Sequence, residues 1–173
     1  MTKKYAWELS LKNSAIQFKV KWFGISSISG QFSKFHTIVM ADQSFTDPEI
    51  HLFIEAASAE TADEKWNNAL QHAGFLSAEL HPVIEFTSIG GCLQSSGKIW
   101  EMSGDLTIKK IKQNITFVVS TADIRREKKK TVSIFQLFGS ISRAAFSLHC
   151  EQDEEIADEI QLKAVITMTR ASD

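Results

Sequence analysis

Five histidines (His36, His51, His72, His81 and His149) and two cysteines (Cys92 and Cys150) are where acid–base, nucleophilic or metal chemistry could begin in this sequence. Their spacing assembles none of these. His72 and His81 flank the exit of a predicted helix with no carboxylate or thiol at metal-ligand spacing, and His51 has only Glu55 on the polar face of its strand. Each histidine therefore reads as a surface or hydrogen-bonded residue. No nucleophile elbow, glycine-rich phosphate loop or zinc spacing occurs, and chain order defines no Ser-His-Asp triad. Asp105, beside Gly104 at what reads as a strand start, suits a hydrogen bond to loop backbone better than a general acid. Arg143 reads as the pin of a strand end rather than a binder of carboxylates. The sequence thus predicts no catalytic residue, no metal site and no enzyme.

The residues that dominate are apolar. Twelve Phe stand against a single Tyr, and Phe has no polar tip to keep wet, so these rings need a dry place, either core or lined cavity. The elements that hold them alternate with period two. Tyr5, Trp7, Leu9 and Leu11 form one such run, and Ile16, Phe18, Val20 and Trp22 another. The pattern returns at Ile50/Leu52/Ile54, at Ile115/Phe117/Val119 and from Ile160 to Met168. Alternation of this kind builds strands with one dry and one wet face, and many of them at short spacing make a sandwich or barrel. One segment has helical spacing instead. Thr61 and Glu64 form a capping box, Ala62, Trp66, Ala69, Leu70 and Ala73 follow, and Gly74 is placed to close about three turns in the left-handed conformation. That helix lays Trp66 and Leu70 on the sheet. A second helical turn is expected between Phe23 and Ser29. Pro48 and Pro82 stand where strands should begin.

Composition narrows the rest. At 173 residues, with no linker, repeat or low-complexity stretch, the chain reads as one domain, residues 1–173. A net charge of −2 gives no field that would draw it to nucleic acid. Lysines interrupt the N-terminal apolar runs, so neither a signal peptide nor a membrane span is written, and the expected location is cytoplasmic (periplasmic if a leader has been removed). The two thiols read as small buried hydrophobes, with a bridge between neighbouring strands as the alternative. The run Arg125 to Lys130 reads as a solvated hairpin tip that would also suit an anionic membrane surface, a peripheral contact. Glu151 to Glu159 is an acidic connection between the last two strands.

An ordered set of short motifs spans nearly the whole chain. It comprises Trp7 on the first strand, Ser14 with Ile16, Phe18 and Val20, then Gly30, Phe32 and Phe35. After the helix come Phe75, Pro82, Phe86 and Ser88, the strand Gly104-Asp105-Leu106-Thr107-Ile108, and finally Ile141, Arg143, Phe146 and Leu148. In order and spacing this set resembles the YceI-like family. The polar positions depart from the family pattern: Asn13 and Trp22 stand where the family often has His, and Trp66-Asn67-Asn68-Ala69-Leu70 keeps only the Leu of a helix motif.

The resemblance implies an all-β fold, a single antiparallel barrel of about eight strands of the lipocalin-like kind, with one covering α-helix. It implies non-catalytic binding, storage or transport of a polyisoprenoid, quinone, prenol or similar long apolar amphiphile, with no cofactor other than such a bound molecule, and homodimers. An eight-stranded barrel is just wide enough to hold one slender ligand or to be filled by side chains. The candidate lining is Phe18, Val20, Trp22, Phe32, Phe35, Ile54, Phe75, Phe86, Trp100, Leu106, Phe117, Phe135 and Phe146. The alternative is a ligand-free, stress-associated interaction module whose barrel these same residues fill.

Overall fold

The computed structural model describes residues 3–45, 47–89, 93–96 and 98–171. Alternating apolar residues produce strands almost throughout: β1 (Tyr5–Leu9), β2 (Ala15–Trp22), β3 (Ser26–Phe32), β4 (Phe35–Ala41), β5 (Glu49–Glu55) and β6 (Ala59–Thr61). The helix α1 (Glu64–Gln71) follows, then β7 (Val83–Ser88), β8 (Leu93–Ser96), β9 (Ile99–Ile108), β10 (Ile111–Glu127), β11 (Lys130–Ser142) and β12 (Ile156–Ala171).

Register shows that these segments are eight antiparallel strands, some of them bent. β1 pairs with β4 at Trp7 and Val39, while β2 pairs with β3 at Ile16 and Phe32. Thus β1–β2 and β3–β4 are the two arms of one long hairpin, broken at matching heights by a 3₁₀ turn at Leu11–Asn13 and the corner at Ser33 and Lys34. β5 pairs with β4 and β6 with β3, bent by a 3₁₀ turn at Ala56–Ser58. β7 and β8 both pair with β9. From β9 to β12 each strand pairs with the next, and β12 closes the ring on β1 and β2. The result is an up-and-down barrel of eight strands with no long open edge, the geometry that removes edge-to-edge pairing.

Four local expectations are corrected. The helix is two turns rather than three, and its N-cap is Asp63, whose side chain accepts from the Lys65 N–H at 2.9 Å. Thr61 cannot serve because it belongs to the β6 ladder opposite Gly30. Gly74 is not left-handed. It is small because a Cβ there would sit 2.8 Å from the His149 carbonyl oxygen. The stretch from Phe23 to Ser29 is not helical, since a turn at Phe23 and Gly24, both at positive φ, leads directly into β3. Finally, Asp105 lies inside β9, half-buried, rather than at a strand start.

The core is the barrel interior. Trp7, Phe18, Phe35, Phe86, Leu106, Phe135 and Met168 point inward from different strands, and Trp66, Phe75 and Leu76 from α1 and its exit loop cover one end. Arg143, 6% exposed, locks the β11–β12 connection over that same end. It donates to the carbonyls of Ala157, Leu148 and Ile156 and to Asp153 Oδ1.

Candidate functional site

Inside the barrel lies a cavity of about 210 Å³. Strands β1 to β5, β7 and β9 to β12 contribute to its wall, which includes Leu9, Phe18, Val39, Ile54 and Ile84. β9 to β12 add Leu106, Phe117, Phe135 and Ile160, and Trp66, Ala69 and Leu70 close the α1 end. Its lining runs from Leu9 and Met168 at one end of the barrel to Trp66 and Leu70 at the other. Pockets for drug-sized ligands run from about 300 to 1,000 Å³, so the space suits a slender chain and not a broad rigid body. The lining carries almost no polar group: Thr37, Lys163 and the thiol of Cys150 are the exceptions, and Lys163 sits on the exposed side of β12. Among the described residues of the lining, Cys150 is the one titratable group that does not stand on an exposed strand face.

Eleven of the thirteen residues singled out from sequence line the cavity: Phe18, Val20, Phe32, Phe35, Ile54, Phe75, Phe86, Trp100, Leu106, Phe117 and Phe135. Two do not. Phe146 is fully buried in the β11–β12 connection behind the wall. Trp22 stands at the rim, where its indole N–H donates to Glu155 Oε2 at 3.2 Å and its ring meets the edge of Trp66 at 5.5 Å. The ammonium of Lys65 covers Trp66 at 4.7 Å, so edge-packed aromatics under one cation cover the α1 end.

Three glycines explain why the rings leave a space. A Cβ on Gly30 would lie 2.3 Å from the Phe18 ring, one on Gly104 2.4 Å from Phe86, and one on Gly139 2.7 Å from Phe117. Each phenyl reaches over a bare stretch of neighbouring strand, the arrangement by which aromatics cover strand glycines. Rings that occupy the space a Cβ would take lie close against the wall.

Other lining residues escaped the sequence reading. Phe45 was hidden because it sits in the β4–β5 loop, outside any period. There it packs against Trp7 at 4.6 Å and Phe135 at 4.7 Å. Trp66 and Leu70 were placed on the sheet by their helical spacing, which is the signal that could have put them in the lining. The histidines lie elsewhere: His36 stacks on Phe53, His72 accepts from the Gly74 N–H, and His149 meets Asp153 at 3.1 Å. Among the described residues no three His, Cys, Asp or Glu are grouped to hold a metal ion. Burial pushes the Cys150 thiol up, which suppresses the reactive thiolate. The proposed bridge partner Cys92 lies outside the described residues.

A profile of the YceI-like domain family matches residues 7–168. The chain belongs to the YceI-like family. Solved structures with the same fold include BcnA of Burkholderia cenocepacia, 22% identical, at a TM-score of 0.79 over 92% of this chain and 99% of that one. The YceI protein of Campylobacter jejuni is 23% identical, with a TM-score of 0.74 over 88% of this chain and 90% of that one. A polyisoprenoid binding domain from Saccharophagus degradans, implicated in plant cell wall breakdown, aligns at a TM-score of 0.65 with 13% identity, over 94% of this chain and 97% of that one. A UPF0312 protein of Pectobacterium atrosepticum is 24% identical over 106 residues, 61% of this chain and 54% of that protein. The chain thus matches about half the length of this curated relative. No helix among the described residues is long and apolar enough to cross a membrane.

Proposed function

We propose that this YceI-like barrel is a non-catalytic carrier that holds a long, slender apolar chain of the polyisoprenoid class along its axis. The observation that carries the reading is the narrow cavity whose wall is apolar from Leu9 and Met168 at one end to Trp66 and Leu70 at the other. An isoprenoid tail has no hydrogen-bonding atoms, so a site for it needs only area and shape. At about 0.8 kcal/mol per buried carbon, each five-carbon isoprene unit contributes roughly 4 kcal/mol before the ordering of the tail is subtracted. The polyisoprenoid-binding neighbour from Saccharophagus degradans supports this choice of ligand class.

The test is native mass spectrometry with solvent extraction, on protein purified from its own cells without detergent. The expected result is a bound species that extracts into organic solvent and fragments in isoprene steps. An empty protein that also ignores added prenols and prenylquinones would overturn the reading and leave a filled-barrel interaction module in its place.

A further inference from the structure

The barrel end opposite α1 is built differently from the rest of the interior. Arg170, near the end of β12, is 6% exposed, and Ser133 on β11 is fully buried. Both face inward. Ser133 stands opposite Met168 in the β11–β12 register, and Met168 lines the cavity. Arg170 lies two residues further along the same face of β12, beside Thr131 in the register. Its guanidinium stacks 4.2 Å from the Tyr5 ring and 5.6 Å from the Trp7 ring, and Nη1 donates to the Ala171 carbonyl.

Two polar atoms there are left over. Arg170 Nε and Ser133 Oγ are buried with no hydrogen-bond partner among the described residues. Buried polar groups are nearly always paired, because each unpaired one carries its full desolvation penalty. Two on one face, diagonal neighbours across one strand pair, are the pattern of a binding site whose acceptor comes from outside the chain. What separates them from the apolar cavity is aromatic. Phe45 forms part of the cavity wall and packs against Trp7, the same indole that covers Arg170. Its backbone sits at φ 52°, a conformation that a phenylalanine adopts only under constraint.

We propose that this end is a head-group pocket, in which Arg170 Nε and Ser133 Oγ donate to an acceptor oxygen at the end of the apolar ligand. That oxygen is a quinone carbonyl or a carboxylate, and the Phe45 ring is the partition the head displaces to reach it. The proposal rests on the carrier reading and adds to it a preferred direction, head toward β12's end and tail toward α1. It also turns two destabilising atoms of the empty protein into recognition elements of the loaded one.

The test compares three probes with the same isoprenoid tail: the bare hydrocarbon, the prenylquinone and the tail carboxylic acid. Binding is read from quenching of tryptophan fluorescence. One hydrogen bond to a charged donor predicts that the quinone or the acid binds at least tenfold more tightly than the hydrocarbon, and whichever of the two is tighter identifies the head. Ser133→Ala and Arg170→Met should collapse that ratio toward one while leaving the hydrocarbon affinity unchanged. Ser133→Ala changes little volume and removes an unpaired polar atom, so its melting temperature should equal or exceed that of the wild type. This keeps the test decisive even if Arg170→Met folds poorly. Equal binding of all three probes, or variants that weaken all three alike, would overturn the head-group pocket alone. If no probe binds, the carrier reading falls and the pocket falls with it.

Discussion

Arg143 shows what a single side chain holds in this fold and how pH should reveal it. It fixes the β11–β12 connection over the α1 end through three carbonyls and Asp153. Burial raises the pKa of Asp153, but the Cys150 N–H, Arg143 and His149 outweigh it, and the net direction is down. Asp158 is lowered as well, by the Ser142 hydroxyl and the Ala144 N–H. A carboxyl whose folded pKa is depressed stabilises the fold fully above its unfolded pKa and loses that contribution as pH falls through the folded value. The melting temperature should therefore be level down to about pH 5 and fall increasingly below about pH 4, the ordinary range for Asp. Asp153→Asn should flatten part of that acid limb in thermal melts from pH 2 to 7; an unchanged limb would show that the pair does not couple to folding. Arg143→Met strips a buried cation from three carbonyls and from Asp153, and should cost about 3 kcal/mol in denaturant unfolding. The sequence marks Arg143 as the pin of a strand end. It could not show what is pinned, because the acceptors are Leu148 and Asp153 in the connection and the first two residues of β12, which no periodicity brings together.

Elements were legible wherever one face is dry and the other wet. The alternating runs of β2, β5, β10 and β12 stand where the spacing puts them, and Pro48 and Pro82 precede β5 and β7 as expected. What the pattern hides is where one strand bends into two. At Leu11–Asn13 and Ala56–Ser58 the backbone makes a 3₁₀ turn without leaving the barrel wall, so a single strand reads as two. The capping box was misread for a similar reason: two polar residues competed for the cap, and pairing with β3 removed Thr61 from the choice. The β9–β10 hairpin gives a prediction at this scale. Ile108 pairs with Ile111, so Lys109 and Lys110 form a two-residue turn, at φ 53° and 66°. Such turns require positive φ at both positions and favour glycine or asparagine. Lys109 has a second duty, since its ammonium donates to the carbonyls of Gly74 and Ser147 and ties the hairpin to both loops at the α1 end. Lys110 is exposed and has none of these bonds. Lys110→Gly should therefore raise stability by about 1 kcal/mol, while Lys109→Gly loses its two hydrogen bonds and gains less. Equilibrium unfolding of the two variants side by side checks this. A destabilised Lys110→Gly would mean that the turn is not strained.

For the molecule as a whole, the open question is what keeps an eight-stranded barrel from closing on its own side chains. A barrel of this size is at the limit where inward residues meet across the axis, and this one lines its interior with phenylalanines from β2, β3, β4, β7, β10 and β11. The sequence showed that the interior is greasy but not that it is hollow, because hollowness depends on where each ring lies. Gly30 and Gly104 stood out only as members of a motif. Their role appears when Phe18 and Phe86 are seen lying on them, and Gly139 under Phe117 repeats the device on another strand pair without belonging to any motif. Gly139 makes the cleanest test. The nearest atoms to an added methyl there are all in the Phe117 ring, at 2.7, 2.9 and 3.6 Å, with no backbone among them, whereas at Gly30 and Gly104 a carbonyl oxygen also crowds the site. Gly139→Ala should push the Phe117 ring off the wall and toward the axis, at a cost of about 1–2 kcal/mol in stability. The cavity narrows where the ring enters it. A chain threaded along the axis then loses contact with everything beyond that point, so its affinity should drop at least tenfold, more for long tails than for short ones. Titrating isoprenoid alcohols of increasing length against wild type and Gly139→Ala measures this directly. If the two proteins bind every length equally, the chain does not lie along the axis, and the rings over these glycines are core packing and nothing more.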